Sequence, residues 1–342
     1  MTVKPPPRVS DPAVWKSAAF PDESSWTVQL TDSHIMELES AAERIRSSAI
    51  DAPGFGQDAF ALPTLGSVLA DQLTILEHGR GFFLLRGLDV DRYDPQLLRI
   101  MYWGICSHLG TGISQNTYGE LMSDVTDHGE VFPGEDPYRY NIRAHRTAVE
   151  ISPHTDSCDH VALMCVRPAQ QGGGSAVVSA LAVYNEIAAS RPDFVETLSR
   201  GFFLDLVGKG TEDKQLSVHR IPVFSYFDGK LSARFNKRQI ELGAEKLGGG
   251  LDPLSQAAIE YIQQVSEQNE FRVTMEFRAG DIQVLNNRVI FHSRESFMDD
   301  ADKGRKRLLW RVWLSSHQPR PLAPEFADQL NSGRRGGVTK RF

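Results

Sequence analysis

The chain has 342 residues, of which 41% are hydrophobic and 24% are charged, a composition typical of globular rather than disordered or fibrous proteins. Its formal net charge of −7 gives no electrostatic support for binding nucleic acid or an anionic membrane surface. The three cysteines, Cys106, Cys158 and Cys165, form no CxxC pair, which argues against a disulfide framework and favours a reducing compartment.

The N-terminal segment lacks the apolar stretch of a secretory signal. No segment approaches the roughly 18 consecutive apolar residues of a membrane helix. We therefore expect a cytoplasmic protein whose partner is a small molecule rather than nucleic acid or a membrane. The sequence leaves a homo-oligomer open.

Residues 1–30 predict an extended arm interrupted by prolines. Helical spacing begins after Thr31, with Asp32 or Ser33 as the expected N-cap. Two further helical patterns follow at 65–77 and 94–109. Between them, residues 81–87 form an apolar run bracketed by glycines, which indicates a buried strand.

Beyond residue 110 the pattern changes to short apolar runs separated by turn residues, which is typical of β-strands. The expected strands cover 161–166, 175–179, 203–207, 218–227, 271–277, 281–285, 289–292 and 308–314. Helical insertions are predicted at 182–199 and 253–268, the second with Asp252 as N-cap and Pro253 at the first helical position. This pattern predicts a mainly β fold with α additions, a double-stranded β-helix (jelly-roll) core flanked by helices.

No segment reads as a linker between independent domains. We therefore expect a single domain over 1–342, with 1–30 as an N-terminal arm. The jelly-roll catalytic core with its helical insertions would cover 81–315.

Five metal-ligating side chains lie within residues 154–160, whose sequence is HTDSCDH. Residues two apart on a strand point to the same face, so His154 and Asp156 can present an imidazole and a carboxylate to one metal. His292 is the best third ligand, because an apparent strand, Asn-Asn turn and second strand precede it. Two histidines and one carboxylate form the facial set of non-haem Fe(II) oxygenases.

Other interpretations of this segment remain open. Cys158 with His160 would suggest zinc, but structural zinc sites usually pair two such dyads, and no second dyad is present. Cys158 would share the face of His154 and Asp156 if the strand continued. Otherwise Cys158, Asp159 and His160 are turn or wall residues.

A basic, alternating segment, RKRLLWRVWL, covers residues 305–314. Arg307 and Arg311 are four residues apart, so they share a face if this segment is a strand. A buried arginine is costly unless paired, and a dicarboxylate co-substrate would supply a geometrically suitable partner. The alternative is an internal salt bridge to Asp281 or Glu276.

Taken together, the ordered motifs resemble the TauD/TfdA family of Fe(II)/2-oxoglutarate dioxygenases. The motifs are PHTD at 153–156, GGGS at 172–175, AVYNEI at 182–187, GDIQVLNNRVIFHSRESF at 280–297 and KRLLWRVWL at 306–314. The resemblance spans roughly residues 81–314.

The resemblance implies that His154, Asp156 and His292 bind iron. It implies that Arg307 pairs with the distal carboxylate of 2-oxoglutarate. Arg311 would bind either this co-substrate or an anionic group of the substrate, and these two roles could be exchanged. Ser175 stands where the family commonly has threonine, and its hydroxyl would retain the contact with the co-substrate that the resemblance implies.

The implied reaction uses Fe(II), 2-oxoglutarate and O2 to hydroxylate, desaturate or cyclise at an unactivated C–H bond of a small molecule, releasing succinate and CO2. For the substrate we expect contacts from Asn116, Arg143 and Arg311, although Asn116 reads equally as a loop residue and Arg143 as a surface residue. A cupin-type metalloenzyme without 2-oxoglutarate and a non-catalytic jelly-roll binding protein are the competing hypotheses.

Overall fold

The computed structural model describes residues 5–129, 144–206, 215–299, 305–327 and 335–340. The strands are β1 Thr27–Gln29, β2 Phe82–Arg86, β3 Gly110–Ile113, β4 Met122–Val125, β5 Ile151–His154, β6 His160–Arg167, β7 Gln171–Gly172, β8 Ser175–Ser179, β9 Phe224–Phe227, β10 Lys230–Ala233, β11 Arg272–Met275, β12 Ile282–Asn286, β13 Ile290–Arg294, β14 Phe297–Met298 and β15 Leu308–Ser316. The helices are α1 Asp32–Ser47, α2 Leu65–His78, α3 Pro95–Ser107, α4 Ala180–Ser190, α5 Pro192–Arg200, α6 Lys237–Lys246, α7 Pro253–Ser266 and α8 Pro324–Ala327. None of the helices in these ranges is long and apolar enough to span a membrane.

Two larger sheets organise the chain. The first has seven strands in the order β1-β2-β12-β6-β15-β3, and β4 also pairs with β15. Its β1–β2 pair is parallel, and its other pairs are antiparallel. The second has four antiparallel strands in the order β11-β8-β13-β5. The expectation of a β-rich fold with added helices is confirmed.

Both faces of the seven-stranded sheet are buried. Because side chains alternate along a strand, Phe83 and Leu85 of β2 face a core shared with helices α1, α2 and α3. Phe82 and Leu84 face the opposite way, into a core shared with strands β8 and β13 of the four-stranded sheet. The sheet therefore lies between a helical layer and the second sheet.

The helices largely match the predicted ones, with three differences. The N-cap of α1 is Thr31 rather than Asp32 or Ser33, since its hydroxyl accepts a hydrogen bond from the backbone N–H of His34. The helix expected at 182–199 is two helices, α4 and α5, because Pro192 has no N–H to continue the ladder. The sequence reasoning missed α6 and the four-residue α8, whereas Asp252 caps α7 as predicted.

Most predicted strands are present within two or three residues of their expected bounds. The exceptions are 203–207 and 218–227. The described part of the first forms only an isolated bridge, and the second is a regular strand only over Phe224–Phe227. Pro222 explains the second difference, because proline cannot donate a ladder hydrogen bond.

The described part of the N-terminal arm packs against the seven-stranded sheet, whereas the sequence predicted only an extended arm. Trp15 and Trp26 are buried, and their rings pack around Phe82 together with Phe20. The arm also contributes β1 to the edge of the seven-stranded sheet. Its apolar side chains therefore form part of the core.

A substitution in the core between the seven-stranded sheet and helices α1, α2 and α3 tests the described packing. Phe83 is fully buried, so Phe83→Ala should lower the free energy of unfolding by about 3–5 kcal/mol. Met36 on α1 is 60% exposed, and Met36→Ala should change it by no more than about 0.5 kcal/mol. Urea unfolding of both variants measures the difference, and equal midpoints would contradict the described core.

Candidate active site

The pairing of β5 with β13 brings the predicted histidines together. His154 ends β5 and lies directly opposite His292 in the antiparallel ladder, with 4.2 Å between the two ring centroids. Asp156 follows two residues after His154, beyond the end of the strand. The ligand atoms of His154, Asp156 and His292 all lie within 4.8 Å of one another. The three predicted metal ligands therefore converge.

Hydrogen bonds fix the orientation of two of these side chains. Nδ1 of His154 lies 2.9 Å from the Ser152 carbonyl oxygen; since a carbonyl can only accept, this nitrogen carries the proton and leaves Nε2 with a free lone pair. Trp313 donates from Nε1 to Oδ2 of Asp156 over 2.9 Å. The backbone N–H of Asp156 donates to Oδ1 of Asn287 over 2.9 Å.

The charge states suit a divalent metal. Burial alone would raise the pKa of Asp156, but the Arg311 guanidinium, His292 and His154 outweigh it and hold this pKa below its usual range. Burial lowers the pKa of His292 to about 3 and also lowers the pKa of His154. At neutral pH the cluster is one carboxylate and two neutral imidazoles. Nδ1 of His292 is buried and has no hydrogen-bond partner within the described ranges, so this donor set fits a metal such as Fe(II).

A small inner pocket extends from the cluster to Arg307. Its lining includes His292, Ser175 and Arg311. Arg307 is only 3% exposed, and its guanidinium contacts the Gly173 carbonyl oxygen at 3.4 Å. Among the residues that the structure describes, no carboxylate lies within salt-bridge distance of it. An unpaired buried cation is unfavourable, so the pocket suits an anion.

The two acidic residues that the sequence offered as alternative partners of Arg307 do not form a salt bridge with it in the described part of the chain. Asp281 receives two hydrogen bonds of 2.8 Å from Arg86, while Glu276 forms no salt bridge to Arg307 within the described part of the chain. The glycine turn 172–174 lies against the same arginine. A Cβ at Gly173 would lie 3.1 Å from Nε of Arg307, and its φ of +78° also favours glycine.

Arg311 is placed differently from Arg307. Its Nη1 lies 3.5 Å from Oδ2 of Asp156, and its Nε donates to Oε1 of Gln115 over 2.8 Å. Arg311 lines both the inner pocket and a larger outer cleft. The two arginines thus reach one pocket as their spacing predicted, but among the described residues only the Arg311 guanidinium has a carboxylate within salt-bridge distance. The Asp299 carboxylate instead accepts from the backbone N–H of Arg307 over 2.7 Å.

The outer cleft has a volume of about 520 Å³ and a mostly polar lining. Asn116 lines it, although both ends of its amide hold its own loop: Nδ2 donates to Glu120 over 2.5 Å and Oδ1 accepts from the Tyr118 N–H over 3.0 Å. A substrate contact from Asn116 stays a prediction. Arg143, the other expected substrate residue, lies outside the described residues.

The three residues after Ser157 turn away from the cluster. The strand does not continue to Cys158, because β5 ends at His154, so the condition under which Cys158 would share the face of His154 is not met. Sγ of Cys158 accepts a hydrogen bond from Asn287. His160 forms a buried 2.8 Å contact with Glu77. Asp159 pairs with Arg288 and Arg335. These residues are wall and core residues, as the alternative interpretation held.

Sequence reasoning missed four residues that touch the cluster or its neighbours: Gln115, Asn287, Trp313 and Arg234. Trp313 lies two residues after Arg311 on β15, so the strand pattern places both side chains on one face. The other three contacts span 79 or more residues and carried no spacing signal.

Comparisons with known proteins agree with this geometry. The profile of the family described as "Taurine catabolism dioxygenase TauD, TfdA family" matches residues 48–313. FR-33289 synthase from Streptomyces rubellomurinus is 28% identical over 334 residues, which cover 96% of this chain and 95% of that protein. Taurine hydroxylase-like protein SAT17 from Stachybotrys chartarum is 27% identical, with coverage of 95% and 84%.

Solved structures share the fold at low identity. Asparagine oxygenase in complex with Fe(II), 2S,3S-3-hydroxyasparagine and succinate superposes with a TM-score of 0.64 at 17% identity, covering 85% of this chain and 94% of that one. The non-heme iron oxygenase OrfP in complex with Fe and alpha-ketoglutaric acid gives 0.59 at 15% identity, with coverage of 91% and 100%.

The buried neutral histidines predict a pH dependence of stability. Their pKa values in the folded protein lie below the ordinary 6.5, so the unfolded chain binds more protons as the pH falls below about 6.5. The metal-free protein should lose stability from pH 6.5 towards pH 4, by at most about 1.4 kcal/mol per pH unit for each histidine. Urea unfolding in chelator measures this, and His292→Gln should reduce the slope. An unchanged slope in that variant would contradict the assignment.

Proposed function

The chain belongs to the TauD/TfdA family of dioxygenases, and we propose that it oxidises an unactivated C–H bond of a polar small molecule at the cluster of His154, Asp156 and His292. It is a non-haem dioxygenase that uses Fe(II), 2-oxoglutarate and O2. One observation carries the proposal: the three-ligand cluster opens into a pocket that ends at the buried guanidinium of Arg307, which has no carboxylate within salt-bridge distance among the described residues.

We assign the iron to His154, Asp156 and His292. Three protein ligands leave three coordination positions for a bidentate co-substrate and O2. Bound iron and 2-oxoglutarate supply the activation of O2 and the oxidation of the C–H bond, with release of succinate and CO2. The protein's contribution is to hold the ligands, orient both substrates and exclude water.

We assign the distal carboxylate of 2-oxoglutarate to Arg307, with the hydroxyl of Ser175 as a further donor. Within the described ranges no carboxylate lies within salt-bridge distance of this buried guanidinium, which supports the choice, since a carboxylate would supply both the charge and the two-point geometry. Arg311 already contacts Asp156 and Gln115, which favours a role at the substrate side. A cupin-type metalloenzyme without 2-oxoglutarate would leave Arg307 without a partner.

We further propose that the two larger sheets form a double-stranded β-helix over residues 81–315 and that residues 1–342 act as one domain. The shared core between the sheets and the packing of the N-terminal arm against Phe82 support this proposal. The likeness to asparagine oxygenase also supports it.

For the substrate we propose a polar small metabolite, of the kind oxidised in secondary metabolism. Amides and guanidinium groups line the outer cleft; the solved neighbours hold hydroxyasparagine and hydroxyarginine. Arg311 and Asn116 are the proposed contacts, and Arg143 remains a prediction. Three buried, unpaired cysteines fit a reducing compartment such as the cytoplasm.

The iron assignment predicts a spectroscopic signal. Under anaerobic conditions, Fe(II) with 2-oxoglutarate should give the intact protein a weak visible charge-transfer band. His154→Ala should abolish this band because the cluster loses an imidazole ligand, whereas His78→Ala, at an exposed position on α2, should retain it. No band with the intact protein would rule out the iron and 2-oxoglutarate assignment.

The co-substrate assignment predicts a difference between the two arginines. Arg307→Ala should raise the 2-oxoglutarate concentration for half-maximal band intensity by roughly 30-fold or more, because it removes a buried charge partner. Arg311→Ala should raise it less. If Arg307→Ala leaves the requirement unchanged and Arg311→Ala raises it, the two roles are exchanged.

A further inference from the structure

Arg234 lies between β10 and α6, and it is 3% exposed. Its Nη1 donates to the carbonyl oxygen of Thr155 over 2.8 Å and to the hydroxyl of Thr155 over 3.0 Å. Its Nη2 donates to the hydroxyl of Ser157 over 2.7 Å and to Oε1 of Gln239 over 3.0 Å. All four acceptors are neutral, and Arg234 forms no salt bridge within the described ranges.

The residues that Arg234 holds are the two neighbours of Asp156 in the chain. Because β5 ends at His154, Asp156 lies beyond the regular ladder that fixes the two histidines. Its own backbone N–H is held by Asn287, while Arg234 spans the residues on either side. The adjoining Phe235 strengthens this attachment, since the Thr155 N–H donates to its carbonyl oxygen over 2.7 Å.

Burial of a guanidinium whose hydrogen-bond acceptors are all neutral is costly, although the charge of the nearby Asp156 carboxylate offsets part of this cost. Burial lowers the pKa of Arg234 to about 10, so the side chain stays charged at neutral pH. A planar guanidinium can hold acceptors on two residues at a fixed separation, whereas a lysine ammonium is a point donor. The arrangement therefore suits a rigid clamp across the segment 155–157.

We propose that Arg234 is a positioning residue that holds Asp156 in the orientation needed for metal binding, acting through Thr155 and Ser157. The proposal rests on the proposed function, because it concerns the carboxylate ligand of that metal centre. Arg234 and Gln239 also line the outer cleft. The clamp thus joins a wall of the cleft to the carboxylate.

Mn(II) titration of the full-length protein, followed by the EPR signal of the free ion, tests the clamp. Arg234→Gln should weaken Mn(II) binding 10- to 100-fold, the range observed when residues that orient metal ligands are replaced. Arg234→Lys, which keeps the charge but not the fork, should restore only part of the affinity. Arg320 is a buried arginine that binds Asp11 and Leu231, so Arg320→Lys is the matched control and should bind Mn(II) as the wild type does.

Two further measurements separate positioning from general stability. Ser157→Ala removes one acceptor with little change in volume, and its effect on Mn(II) affinity should not add to that of Arg234→Gln if both act through one clamp. The visible band of the Fe(II) and 2-oxoglutarate complex should also shift in Arg234→Lys, which a purely structural role would not cause. If Arg234→Gln does not fold, Arg234→Lys and Ser157→Ala decide the question.

The outcomes distinguish the two proposals. A wild-type protein that binds no Mn(II) contradicts the metal centre itself. If folded Arg234→Lys and Ser157→Ala bind Mn(II) as tightly as the wild type does, and if their visible bands are not shifted, the proposed role of Arg234 is contradicted while the metal centre is not.

Discussion

The active site depends on the register of one strand pair. His154 on β5 and His292 on β13 lie directly opposite each other, and β13 is fixed on its other side by five residue pairs with β8. A slip of one residue would turn one imidazole to the opposite face of the sheet. The core side chains of β13 are buried, so such a slip would also expose apolar surface, and this makes the histidine pair a consequence of core packing.

The turn between β12 and β13 extends this control to the carboxylate. Asn287 accepts a hydrogen bond from the N–H of Asp156, donates from Nδ2 to Cys158, and donates from its backbone N–H to the Asp159 carbonyl. Next to it, Arg288 pairs with Asp159. The turn that connects the two sheets therefore leads into the strand that carries His292 and also holds the segment that carries Asp156, which couples the positions of the three candidate ligands.

Strand periodicity and burial arguments predicted the three candidate metal ligands and the two pocket arginines from the sequence. Both Arg307 and Arg311 line one pocket, as their spacing predicted, although β15 begins only at Leu308 and Arg307 lies just before it. The pairing of His154 with His292 is a long-range register, which no local pattern specifies. Arg234 was missed for the same reason: its partners lie 77 and 79 residues away, and its position at the end of a short strand before an unpredicted helix gave no periodic signal.

The contacts of Asp156 restrict how it can bind a metal. Oδ2 accepts from Trp313 at 2.9 Å and lies 3.5 Å from Arg311, whereas Oδ1 is the oxygen 4.0 Å from Nε2 of His154. Because Oδ2 already accepts from Trp313, we expect that a bound metal would be held mainly through Oδ1. A bidentate carboxylate would occupy a fourth position, which would leave too few for a chelating co-substrate and O2 together. By holding Oδ2, Trp313 and Arg311 would help to leave the remaining coordination positions to the co-substrate and O2.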